Sequence, residues 1–322
     1  MRTITRRRRL TGAVALAATA ALALAACSPE ASAPEGTTPA ETGDDTNVTL
    51  TQEEIVAGGP VADDATIEAN AWASAVREAG VLKLGGTETS ELFSLLDPTT
   101  GVAKGFDAGI SQLLSHYILG ETETKVDLQQ VTVDTRETLL QSNTVDAVIA
   151  TYSITPKRAE VIAFAGPYYG SQAGILVKAD NTDITSLADL DGKKVATQAN
   201  STGQTLLETE APGAEIVALP DHAQALAAVQ QGNADAYVID QSLLLNAVVK
   251  DSTVKIVGEP FGPKDLYGIG VNKDSDAVDF INEFLDKIIE DGTWAKLWQL
   301  TIGDRTGLDT VPTPPTPGET GL

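Results

Sequence analysis

An α/β fold in two lobes is predicted by three features of the sequence. Short apolar runs of strand type alternate with amphipathic runs of helix type, the arrangement that builds parallel sheets with crossover helices. The alternation restarts at GILVKAD (174–180), and about 250 foldable residues leave room for two modest domains. The two halves also echo one another. QSNTVDAVIAT (141–151) aligns with QQGNADAYVID (230–240), placing Asp146 over Asp235, Ala147 over Ala236 and Thr151 over Asp240. Ligands of open α/β sheets sit beyond the carboxyl ends of strands, so two such sheets face to face would aim Thr151 and Asp240 into one cleft. Strands of this kind are also common enough for the echo to arise by chance.

In order, TIEANAWASAVREAG (66–80) reads as a leading helix and VLKLGG (81–86) as a first strand. In GFDAGISQLLSHYIL (105–119), Phe106, Ile110, Leu113, Leu114, Tyr117 and Ile118 recur at helical spacing and form one apolar face. KVDLQQV, TRETLLQS and DAVIAT follow as strand, helix and strand. In the second half KKVATQ, EIVALP, DAYVID and VKIVGEP read as strands. GQTLLETEA, HAQALAAVQQ and QSLLLNAVVK are the helices between them. Beyond LYGIGVNKD, two amphipathic helices cover SDAVDFINEFLDKIIEDG and TWAKLWQLTIG.

The chain opens with Arg2 and Arg6 to Arg9, then an apolar stretch from Leu10 to Ala26 that ends in LAAC (24–27). Residues 1–26 read as a secretory signal, outside any fold argument. The small-residue site before Cys27 resembles the lipobox of bacterial lipoproteins, which implies lipidation of Cys27. As the sole cysteine it can form no disulfide within the chain. Residues 27–65 are expected to be a flexible tether and 305–322, rich in proline, a disordered tail. The formal net charge of −23 repels nucleic acid and anionic lipid, so neither is an expected partner. An anion site on such a chain must rely on a few cations in a dry cleft.

No catalytic constellation stands out. Two histidines, His116 within the apolar helix and His222 opening a helix after Pro220-Asp221, assemble neither a zinc site nor a Cys–His nucleophile. His222 is expected to cap its helix or to be solvated. GKKVATQANSTGQT lacks the ordered ending of a P-loop, and no cofactor is expected. What remains is a chemistry of holding. The DAVIA strand runs into TYSITPKR (151–158), which is either an ordinary turn or an anion site. A free amino acid needs a forked cation for its carboxylate and an acid for its ammonium. TYSITPKR supplies Thr151, Ser153 and Arg158, DAYVID supplies Asp240, and NSTGQT supplies Ser201, Thr202 and a helix N-terminus.

The order TYSITPKR–FAGPYY, GKKVATQANSTGQT, GNADAYVID, KIVGEPFGPKDLYGIGVNKD and DGTWAKLW resembles the family 3 extracellular solute-binding proteins, the polar amino acid receptors of ABC importers. The resemblance spans roughly residues 81–303 and is strongest to the glutamate-binding lipoproteins of actinobacteria. It implies a periplasmic-binding-protein-like fold of type II with two hinge strands. The first lobe would cover 66–171 and 267–304 and the second 172–266, with Ser171 and Leu266 near the hinges. It also implies that Arg158 clamps the α-carboxylate, that Thr151 and Ser153 share the α-groups, that Thr202 meets the carboxylate on closure and that Asp240 takes the ammonium. Arg136 lies at the spacing from Arg158 found in glutamate and aspartate receptors, where the earlier arginine reaches the side-chain carboxylate. A solvated helix start paired with Glu137 or Asp134 is the alternative for Arg136.

Two departures bear on side-chain specificity. The first loop, GGTETSELF (85–93), offers Thr87, Glu88, Thr89 and Ser90 where many members carry an aromatic, and the usual Gly-Thr-Thr turn reads Asn200-Ser201-Thr202. Near a γ-carboxylate, Glu88 would oppose glutamate and favour glutamine. With Gln198, the expected ligand-binding set is complete. The expected function is a monomeric receptor, lipid-anchored on the outer face of the membrane, that delivers glutamate to a permease. Glutamine, aspartate and asparagine are the alternatives, and an enzyme on the same fold, a dehydratase or peptidoglycan lyase, is the rival.

Overall fold

The computed structural model describes residues 50–120 and 125–322. The leader, Cys27 and the tether up to residue 49 lie outside them. Helices α1 (Gln52–Ala57), α2 (Asp64–Glu68) and α3 (Ala71–Ala79) lead into β1 (Leu82–Gly86). A small antiparallel sheet follows, made of β2 (Thr89–Ser90), β3 (Ser94–Leu96) and β4 (Ala103–Lys104). Then come α4 (Phe106–Leu119), β5 (Val126–Gln130), α5 (Arg136–Gln141), β6 (Ala147–Val148), α6 (Pro156–Ala159) and the long β7 (Ile162–Lys178). The second half runs β8 (Lys194–Gln198), α7 (Thr202–Glu210), β9 (Glu215–Leu219), α8 (His222–Gln230), β10 (Ala236–Asp240) and α9 (Gln241–Lys250). The equally long β11 (Val254–Asn272) returns to the first half, which α10 (Ala277–Glu290), α11 (Thr293–Trp298) and α12 (Asp304–Thr306) complete.

Instead of two separate sheets, one mixed sheet in the order β5-β1-β6-β11-β7-β10-β8-β9 runs through both halves. The cause is the antiparallel pair β7 and β11, which stays bonded from Ile162↔Asn272 in one half to Lys178↔Val254 in the other. Midway, Leu266 pairs with Gly170 and Asp265 with Ser171, and the register shifts between Val257 and Phe261 and again between Phe261 and Asp265. Such shifts leave residues unpaired and twist the ribbon.

Each half has its own core. In the second, β10 alternates: Ala236 and Val238 pack with Ile175, Val177 and Val195 on one face, Tyr237 and Ile239 with Leu176 and Leu244 on the other. Helices cover both faces, so the strand reads as an unbroken apolar run. In the first half the predicted one-faced helix α4 is buried nearly all round. Its polar residues bond inward: Gln112 donates to Ala103 O and accepts from Gln52 Nε2, both at 2.8 Å. A Cβ on Gly109 would meet Leu297 at 2.4 Å, so glycine here lets α11 lie directly on α4.

Three expectations are corrected. The tether does not extend to residue 65, because Ile55, Val56 and Ala62 are buried in the first core, and Gln52 Oε1 accepts from Gly105 N at 2.9 Å. The leading helix is two, since Asn70 caps α3 through its Oδ1 to Ala73 N at 2.8 Å, an alternative to helix that Asn favours. The tail is not free: Val311 packs on the first core, and Gly318 N donates to Gly166 O at 2.8 Å.

The echo between the halves has a structural counterpart. Lys83 N donates to Asp146 Oδ2 and Lys194 N to Asp235 Oδ2, each at 2.8 Å, while each aspartate's N–H bonds back to the same lysine's carbonyl. Each pair of bonds ties the turn before a core strand to the start of a neighbouring strand.

Candidate functional site

The strand ends converge on one cavity. It is lined by Thr87, Ser90, Arg136, Thr151, Ser153 and Arg158 from the first half, and by Gln198, Ser201, Thr202 and Asp240 from the second. Every expected ligand-binding residue therefore faces the same space. Glu88 does not line it, although Thr87 and Thr89 on either side do.

Two cations dominate one wall. Arg136 opens α5 and is 5% exposed; Arg158, in the short α6, is 7% exposed. Pro156 begins α6 and Thr155 caps it, its Oγ1 accepting from Arg158 N at 3.3 Å, a start that suits proline. Arg158 Nη1 donates to Ser153 O at 2.8 Å, and Nη2 reaches Asn200 O at 3.5 Å. Arg136 is held more weakly. Its Nη1 meets Ala150 O at 3.5 Å, its Nε has no partner, and its guanidinium lies 3.6 Å from the Tyr152 ring centre. Arg158 lies over the same ring at 5.3 Å, so one aromatic face serves both cations. The ion pairs among the described residues lie elsewhere, and neither arginine joins one. Burial, and then the charge of Arg158, pull Arg136 down to about 9. The solvated, paired alternative for Arg136 is excluded by this burial.

Thr151 is placed by a residue that sequence reasoning missed. Its φ is 44°, a left-handed conformation strained for a β-branched residue. Asp107, 1% exposed, accepts from Thr151 N and from Tyr168 OH, both at 2.8 Å. Burial raises the Asp107 carboxyl to about 7.

The opposite wall carries the acid. Asp240 is 4% exposed at the end of β10, and Tyr267 OH donates to its Oδ2 at 2.8 Å. Beside it Asp265, in the irregular stretch of β11, accepts from Thr202 Oγ1 at 3.0 Å. Ser201 caps α7 through its Oγ, which accepts from Gln204 N at 3.1 Å. Ser90 Oγ meets Asn246 Oδ1 of α9 at 3.3 Å. His222 is corrected from a cap or solvated residue: Asp221 caps α8, accepting from Gln224 N at 2.8 Å, and the imidazole lines the cavity. Its Nδ1 lies 3.1 Å from Tyr237 OH, and burial lowers its pKa to about 4, so the ring is neutral. Its place in the cavity lining comes from tertiary folding, and no local signal marked it. Among the described residues no cluster of His, Cys, Asp and Glu could hold a metal ion, and no helix is long and apolar enough to cross a membrane.

Next to Ser201 in the chain, Asn200 joins the halves. It has φ 58°, and its Nδ2 donates to Asp134 Oδ1 at 2.6 Å. Glycine fits that backbone without strain. Asn200→Gly is therefore expected to remove the clasp alone, and a hydrogen bond is worth about 0.5–1.5 kcal/mol net. Ligand should leave about two- to tenfold faster with its association rate unchanged. Stopped-flow fluorescence measures both rates, and an unchanged dissociation rate would remove the clasp from the mechanism.

Two lobes joined by crossing strands, with polar and charged residues from both turned into one cleft, define a two-lobed binding protein. Residues 82–301 match the bacterial extracellular solute-binding proteins, family 3, and the chain belongs to that family. It is 30% identical over 231 residues to the ABC transporter glutamine-binding protein GlnH of Bacillus subtilis, covering 71% of this chain and 84% of that one. It is 31% identical to the glutamate-binding protein GluB of Corynebacterium efficiens, covering 62% of this chain and 71% of that one. Among solved structures, the solute receptor for L-cysteine of Neisseria gonorrhoeae superposes with a TM-score of 0.70 at 23% identity. That match covers 74% of this chain and 97% of the receptor, a likeness of fold.

Proposed function

We propose that this chain is the amino acid receptor of an ABC importer and that its ligand is L-glutamate. In this reading the open cleft captures the amino acid, the lobes close about β7 and β11, and the closed form docks on a permease. A lipid on Cys27 holds the receptor, as a monomer, at the outer face of the membrane. No bond of the ligand is made or broken.

The observation that carries the reading is the pair of buried, unpaired guanidiniums facing a buried carboxyl. Breaking or omitting one partner of a buried ion pair costs on the order of 3–5 kcal/mol. A cleft with two such cations is complementary to a ligand that brings two carboxylates. Glutamate brings one for Arg158 and one for Arg136, with an ammonium for Asp240. Glu88 does not line the cavity, so it does not oppose a side-chain carboxylate there; Asp221 and Asp240 are the acids that do line it. Glutamine is the second reading, supported by the name of the Bacillus relative and by the neutral His222, able to donate to a carboxamide oxygen.

A thermal-shift screen of the twenty protein amino acids tests the reading. A ligand that binds only the native state raises the midpoint according to its excess over Kd, and glutamate is expected to give the largest rise. A largest rise with a cationic or apolar amino acid would discard it. Recovery of glutamate chemically unchanged after incubation separates a receptor from an enzyme.

A further inference from the structure

Tyr237 is a buried hydroxyl to which the binding reading gives no task. It lies on β10, with its ring in the core of the second half against Leu176 and Leu244. It is fully buried and does not line the cavity. Burial pushes the phenol well above its usual range, so it keeps its proton. Among the described residues its one hydrogen-bond partner is His222, whose Nδ1 lies 3.1 Å from the hydroxyl. The acids of the cavity do not compete for that proton. Asp221 is bound by Gln224 N and Nε2, and Asp240 by Tyr267 OH.

Burial lowers the His222 imidazole to about 4 and keeps it neutral. A phenol and a neutral imidazole can share this bond in two ways. With the His222 proton on Nδ1, the ring donates to Tyr237, and the phenol's own hydrogen is left in an apolar core without an acceptor. With the proton on Nε2, Nδ1 accepts from Tyr237 and no buried donor is left bare. Leaving a buried donor unpaired costs more than one hydrogen bond is worth net, so the second arrangement holds. The bond made by one imidazole nitrogen sets the state of the other. Nε2 lies at the opposite edge of the ring, and no described residue bonds to it. Because His222 lines the cavity and Tyr237 does not, that edge is the one that meets the ligand.

We infer that Tyr237 is a positioning residue: by donating to Nδ1 it holds the His222 proton on Nε2, where it meets the ligand as a fixed donor. A fixed donor favours a side chain that ends in an oxygen acceptor, a carboxylate or a carboxamide. It disfavours one that ends in an ammonium, which only donates. A donor polarised by a second hydrogen bond is also strengthened. The inference rests on the binding reading above, in which the ligand's side chain occupies the cavity that His222 lines.

Imidazole nitrogen–proton correlation spectra of the ligand-free full chain test the place of the proton. Two histidines contribute, His116 and His222, and His222→Leu assigns them. Near neutral pH the His222 ring is expected to be neutral with its proton on Nε2. Tyr237→Phe removes one oxygen and keeps the ring in the core, and in it the two tautomers are expected to mix. A proton on Nδ1 in the wild type, or an unchanged spectrum in Tyr237→Phe, overturns the inference. Calorimetry then reads the effect on binding. Tyr237→Phe is expected to weaken glutamate and glutamine alike by about two- to tenfold, the worth of one hydrogen bond. In a His222→Leu background the same change is expected to have no effect, because its route to the ligand is gone. An equal loss in both backgrounds, or no loss in the wild-type background, overturns the inference. Failure of both amino acids to bind the wild type sinks the binding reading, a distinct result, since the spectra are read without ligand.

Discussion

Arg158→Ala is expected to weaken amino acid binding by about 10²–10³-fold or more, the equivalent of on the order of 3–5 kcal/mol lost when a buried carboxylate is left without its cation. The loss is expected to be local. The turn that presents Arg158 is built by Thr155 and Pro156, and the cap bond uses the backbone N–H of residue 158, which alanine keeps. Lysine is not a substitute, because a point charge cannot replace two parallel bonds from a planar fork. Isothermal titration with glutamate, alongside circular dichroism of the ligand-free variant, measures binding and folding separately. An affinity within about threefold of wild type, less than the 1.4 kcal/mol of a tenfold change, would show that the ligand carboxylate is held elsewhere.

Arg136→Met is expected to abolish glutamate binding and leave glutamine binding nearly intact. Arg136 has the weakest set of protein partners in the cleft: one long bond to Ala150 O, one aromatic face and a bare Nε. Methionine fills the space over Tyr152, and its sulfur packs well against an aromatic ring. The same change removes a buried charge that lacks a partner, so the ligand-free variant is expected to melt at or above the wild-type temperature. Titration with both amino acids, plus a melting curve, checks the prediction. Equal loss for glutamate and glutamine would assign Arg136 to a group the two ligands share.

Four of the polar residues that line the cleft were legible because each belongs to a local pattern. Thr151 and Asp240 end apolar strands, Ser201 caps a helix, and Arg158 follows a Thr-Pro start. Asp107 was hidden for the opposite reason. It sits at the head of a helix that reads as amphipathic, and only folding brings Thr151 N and Tyr168 OH onto its carboxyl, 44 and 61 residues along the chain. Tyr152 was quoted in the motif, but its role as a shared platform for two guanidiniums depends on the approach of α5 and α6. Asp265 was quoted within KIVGEPFGPKDLYGIGVNKD, with no role read for it. The irregular pairing of β11 places it where Thr202 Oγ1 donates to its carboxylate.

By itself the sequence determined the run of strands and helices, the two-lobed α/β class and the strand-end residues, since hydrophobic period, caps and turns act over a few neighbouring residues. The tertiary structure alone decided that one sheet spans both halves, that α1 and the tail pack on the first core, and that two arginines are buried outside any direct ion pair among the described residues. Those outcomes depend on contacts between residues far apart in the chain, where burial sets the charge state and the partners of a side chain and the local sequence carries no mark of either.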